Sequence, residues 1–104
     1  MKTLATMILA GVLAVGAAPK NYTGVITDTM CGANHAHMGV KPDEKCVREC
    51  VKQGYKYALL VGKDMYVLSD QQTPEKFAGR KVNVTGTLYE KTRIIKVENI
   101  QPAK

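Results

Sequence analysis

Lys81-Val82-Asn83-Val84-Thr85-Gly86-Thr87-Leu88-Tyr89 is the stretch on which the fold turns. Val82, Val84 and Leu88 fall on one line, and Lys81, Asn83, Thr85 and Thr87 on the other. A period of two marks a strand with one buried and one solvated face. Gly86 occupies an inward position where a side chain is expected, which predicts a bulge or a sharp bend. Working outward, Arg93–Ile100 reads as the final strand. Upstream, Thr73-Pro74-Glu75-Lys76-Phe77-Ala78-Gly79 predicts a single helical turn, with Thr73 as its cap and Pro74 at its first position. Tyr55–Val61 and Met65–Ser69 read as two strands joined by a tight turn at Gly62-Lys63-Asp64. Asn21–Thr27 reads as a first strand whose apolar members are Tyr22, Val25 and Ile26.

Between the first and second strands the period changes. Asp28–Lys41 has none and reads as a loop of about a dozen residues, a length that points to function or to a cross-link. Pro42-Asp43 then opens a helix that ends at Gly54, with Asp43 and Glu44 at its positive pole, Lys52 at its negative end and Gly54 as left-handed cap. At roughly 100° per residue, Cys46, Val47, Cys50, Val51 and Gly54 share an arc of about 140°, while Lys45, Arg48, Glu49 and Lys52 face away.

The resulting order is strand, helix, strand, strand, turn, strand, strand. Five short strands, one of them bent, predict a mainly β domain closed or half-closed into a small barrel, with a sandwich-like half barrel as the alternative. Gly79–Leu88 followed by Ile95–Ile100 resembles the last two strands of OB-fold domains, so the expected architecture is an OB-like five-stranded barrel.

The chain has 104 residues, which sets one domain as the prior. Lys2, the apolar run Leu4–Val15 and the small residues Val15-Gly16-Ala17 have the form of a secretory signal peptide, too short to span a bilayer. The expected domains are therefore a signal segment, 1–17, and a single domain, 18–104, exported to a periplasmic or extracellular space with no membrane span after cleavage. No cysteine stands at the cleavage site, which argues against a lipid anchor. The formal charge of +6 falls by one when Lys2 leaves. Acidic residues are interspersed with the basic ones and Trp is absent, so nucleic acid is not an expected partner. A core this small commonly needs a disulfide or a metal.

Every Cys and His of the chain lies between Cys31 and Cys50. Cys31-x3-His35 and Cys46-x3-Cys50 supply three sulfurs and one nitrogen, a closed tetrahedral set for zinc. Met30, His37 and Met38 add the donors that copper(I) favours, with His37 and Met38 as further members of a metal site. The competing reading is a disulfide from Cys31 to Cys46 or Cys50. Such a bridge persists after export and would contribute ~3 kcal/mol by closing a loop of about fifteen to twenty residues. A bridge from Cys46 to Cys50 suits disulfide geometry poorly within a regular helix. Three cysteines leave one over after a single bridge, and a metal site uses all three. No Cys-x-x-Cys, haem-attachment motif or Cys/His/Asn set stands out, so no catalytic residue is assigned.

Gly24-Val25-Ile26-Thr27-Asp28-Thr29-Met30-Cys31-Gly32, the following His, Cys46-x3-Cys50, Gly54 with its Tyr-rich strand, and Val84-Thr85-Gly86-Thr87 together resemble a family of small secreted bacterial proteins of unknown function. The likeness runs from about residue 22 to 101. It implies an exported single domain and aligns His35, in preference to His37, with the family's histidine. The expected function is a binding or structural module in which the Cys/His cluster staples the loop to the helix through a disulfide, zinc or copper. A thiol-dependent redox protein is one alternative. An OB-type binder of an anionic polymer, using Lys81, Asn83, Thr85 and Arg93, is the other.

Overall fold

A computed structural model describes residues 18–30, 32 and 43–103. The expected signal segment, 1–17, lies outside them. The elements are β1 (Lys20–Asp28), α1 (Glu44–Lys52), β2 (Tyr57–Val61), β3 (Asp64–Leu68), a 3₁₀ turn (Thr73–Phe77), β4 (Lys81–Tyr89) and β5 (Ile94–Pro102). Their order is the expected one, and the strands close into a ring, β1-β2-β3-β5-β4. The described residues form a small, OB-like β barrel with the single α-helix α1 among them.

Four of the five strand pairs are antiparallel. The fifth, β3 with β5, is parallel and short, pairing Val67 with Ile94 and Leu68 with Ile95. Its ends are reinforced: Val67 N–H donates to the Arg93 carbonyl (3.0 Å), Ser69 N–H to the Ile95 carbonyl (3.0 Å), and Val97 N–H to Ser69 Oγ (2.8 Å). β1 serves two neighbours. Lys20–Val25 pair with β4, and Val25–Asp28 pair with β2.

Gly24 stands where β1 passes from one neighbour to the other, and a Cβ there would fall on the Leu60 carbonyl oxygen. Gly86 does the same service on β4, where a Cβ would fall on the Lys96 carbonyl and where the β4–β5 register shifts. The expected bulge is therefore present. Only residues without side chains let the backbones approach this closely at the corners of a small barrel.

The inward line of β4, with Val82 and Val84 fully buried, meets Ile26, Leu59, Leu68 and Ile95 in the barrel interior. Burial of each such side chain stabilises the fold by roughly 1.5–3 kcal/mol. Val47 from α1 joins the same cluster, and α1 packs against β1. Asp43 caps α1, its side chain accepting from Lys45 N–H (2.8 Å). At the other end Tyr55 N–H donates to the Cys50 carbonyl and Gly54 N–H to the Val51 carbonyl, a Schellman closure with Gly54 outside the last turn.

Four local expectations are corrected. Gly54 is exposed, because it belongs to the cap and not to the buried arc. Arg48 is half-buried and does not simply face away; its guanidinium reaches the 3₁₀ turn, as described below. Thr73 is not the cap of that turn: Asp70 Oδ1 accepts from Gln72 N–H (2.9 Å) and Thr73 N–H (3.0 Å). The β2–β3 hairpin turns on two residues, Gly62 and Lys63, since Val61 pairs with Asp64.

Candidate functional site

The chain leaves the barrel at the end of β1 through a set of fixed contacts. Asp28 is fully buried, and its Oδ1 accepts from Met30 N–H (2.8 Å). Thr29 is tied to the start of the next strand: its N–H donates to the Lys56 carbonyl (3.0 Å), and its Oγ1 accepts from Lys56 N–H (3.2 Å). Gly32 is buried, and a Cβ there would stand 2.6 Å from Met65 Sδ and 3.1 Å from the Thr27 methyl. The segment that begins the Cys/His stretch is thus seated on the barrel at residues 28–30 and again at 32.

Cys46 and Cys50 lie on α1, half-buried, on the flank that carries buried Val47. Residues four apart on a helix place their Cβ atoms about 5–6 Å from one another. The sequence placed both on one flank beside the buried valine, and that is where they stand. Cys31, His35, His37 and Met38, the remaining expected ligands, lie outside the described residues. Among the described residues, no three Cys, His, Asp or Glu side chains gather as a metal-binding group.

A cleft of about 380 Å³ opens between α1 and the 3₁₀ turn, lined by Arg48, Val51, Lys52, Tyr57, Gln71 and Glu75. Arg48 spans it. Its Nη2 and Nε donate to the Glu75 carbonyl (2.8 and 3.3 Å), and its Nη1 pairs with Glu44 one turn earlier. Gln71 fixes the floor, accepting from Tyr57 N–H (2.7 Å) and donating to the Tyr57 (3.0 Å) and Leu68 (2.7 Å) carbonyls. Burial, assisted by the Glu75 carboxylate and opposed by the Arg48 guanidinium, raises the Tyr57 phenol above its ordinary value of 10.0. The sequence reading missed this cleft. Its residues come from four separated segments that no local pattern links.

The outward residues proposed for a polymer divide into two groups. Asn83 and Thr85 lie on adjacent outward positions of β4, and Lys81 begins that line. Arg93 stands beyond the opposite end of β4, since Tyr89 pairs with Ile94 and Val82 with Pro102. Its guanidinium covers the Tyr66 ring (4.7 Å to the centroid) and pairs with Asp64 (3.3 Å). Arg93 also holds φ of 56°, a conformation uncommon outside glycine, at the turn that delivers β5 to its seam with β3.

Among the described residues no helix is long and apolar enough to cross a membrane. Compared with protein-family models, with curated proteins and with solved structures, the chain matches none.

Proposed function

We propose that this chain is an exported binding or structural module in which the Cys/His cluster fastens the segment after β1 to α1. The fastening is a disulfide of Cys31 with Cys46 or Cys50, or a zinc or copper ion held by Cys31, His35, Cys46 and Cys50. The observation that carries the reading is the placement of Cys46 and Cys50, half-buried and one turn apart on the inner flank of α1. Two thiols so arranged suit a soft or borderline ion, and either alone suits a bridge to a nearby strand-end segment. The seating of residues 28–30 and 32 against the barrel supports it from the other side. A bound ion would add folding energy by joining the two segments.

The test takes the protein from an oxidising compartment, denatures it without reductant, and counts reactive thiols alongside elemental analysis. One thiol without metal supports the disulfide form. Three thiols with one equivalent of zinc or copper support the metal form. Three thiols without metal overturn both. Cys31→Ser should lower stability by ~3 kcal/mol in the bridged form, and unchanged stability together with unchanged metal content overturns the reading.

A further inference from the structure

The outer wall of the barrel over β1, β4 and β5 carries two rows of uncharged polar side chains in register. Thr23 pairs with Asn83, which pairs with Gln101; beside them Asn21 pairs with Thr85, which pairs with Asn99. Thr23 Oγ1 donates to Asn83 Oδ1 (2.6 Å), and Thr85 Oγ1 donates to Asn21 Oδ1 (2.7 Å). Strands in a sheet lie about 4.7–4.9 Å apart and same-face residues about 6.6 Å apart, so the six form a compact grid. Asn is depleted from strands, yet three stand here, where the barrel core makes no use of them. The cross-strand bonds occupy two amide oxygens and hold both amides in place. Each of these amides also carries an N–H₂ group with two donors.

The same outward line of β4 continues through Thr87 to Tyr89, a residue that is 49 % exposed. Amide donors and hydroxyls on a grid match the adjacent hydroxyls of a sugar. An exposed ring offers an apolar face for the C–H side of a pyranose. Charge decides between ligand classes. None of the six grid positions is ionisable, in a chain with 15 basic and 9 acidic residues. The nearest cations on these strands are Lys20 beside Asn21, Lys81 at the end of the Asn83 line and Lys96 opposite Thr87, and Arg93 is engaged with Tyr66 and Asp64.

We infer that this face binds a neutral glycan chain, with Tyr89 as the stacking ring and Asn83, Thr85 and Asn21 as the hydrogen-bonding grid. It uses none of the residues of the staple and does not depend on that reading.

Native affinity electrophoresis of the full exported protein tests it, in gels containing a mixed-linkage β-glucan, a galactomannan, dextran or starch. Retardation by at least one of these is expected. Tyr89→Ala and Asn83→Ala should each weaken it roughly tenfold, the loss of about 1.4 kcal/mol of contact. Lys63→Ala, in the distant β2–β3 turn, should leave it unchanged. Tyr89 is exposed, so its truncation leaves the core intact; Asn83→Ser, with the thermal midpoint measured in parallel, guards against loss of fold at the second position. No retardation by any of the four overturns the inference. So does retardation seen only in a parallel gel containing dextran sulfate and abolished by salt, which would mark a polyanion surface.

Discussion

Gly86 sits where β4 steps past β5, and the Lys96 carbonyl fills the space that a side chain would need. Gly86→Ala should therefore force the two backbones apart and cost about 1–3 kcal/mol. A lower urea midpoint at unchanged slope would show it, and an unchanged midpoint would mean that the corner adjusts freely. This residue was legible in the sequence, because a glycine on the apolar line of an alternating strand has no other ready explanation. Gln71 was not. Its side chain holds three backbone groups, two of them on Tyr57, fourteen residues away, and no pattern links the two positions. Gln71→Ala leaves buried backbone groups without those partners, and a loss of about 1–3 kcal/mol is expected in the thermal or urea midpoint. Cys46 and Cys50 lie between these cases. Helical spacing was enough to put both on the inner flank, whereas spacing says nothing of what stands opposite them.

Helix α1 was readable from its ends inward: Pro42-Asp43 opening it, apolar and thiol residues at i, i+1 and i+4, and Gly54 closing the last turn; the structure adds that Asp43 is the cap. Asp43→Ala should cost about 0.5–2 kcal/mol, and Asp43→Asn should recover most of it; far-UV dichroism and urea unfolding of the two variants make the comparison. Equal loss from both would show that the charge at the helix pole, rather than the cap geometry, supplies the stabilisation. Arg48 escaped the helical reading for a physical reason. Hydropathy places a charged side chain on the solvent side, but a long stem lets the guanidinium turn back over the protein, here to the Glu75 carbonyl. The strands show a similar division. Alternation specifies which face of each strand is inward, and the inward lines of β4 and of its neighbours follow it. It does not specify which edges meet, so the parallel β3–β5 seam, the pairing that closes the ring, was beyond its reach.

Across the whole molecule, two groups near the α1 end of the barrel set opposite limits on pH stability. Burial alone would raise the Asp70 carboxyl, but the hydroxyl and N–H of Thr73 and the N–H of Gln72 outweigh it and hold it below its ordinary value of 3.8. Its contribution is present above that value and is lost as pH falls through the lower folded one. Tyr57 works in the reverse sense. Its raised phenol keeps the proton longer in the folded state, so stability is present below the unfolded value of 10.0 and is lost as pH rises toward the folded one. Urea midpoints measured from about pH 8 to about pH 11 should fall more steeply for the wild type than for Tyr57→Phe; parallel curves would remove Tyr57 from the account. β1 adds a consequence for how such a chain comes into being. Its first half is paired only with β4, and β3 is completed only by β5. A chain emerging amino end first from a ribosome or a translocation pore thus has an open three-stranded meander with two bare edges until residues 81–102 arrive. The barrel closes only once β5 joins β3 to β4, so a chain cut short after Tyr89 should stay unclosed and prone to edge-to-edge association.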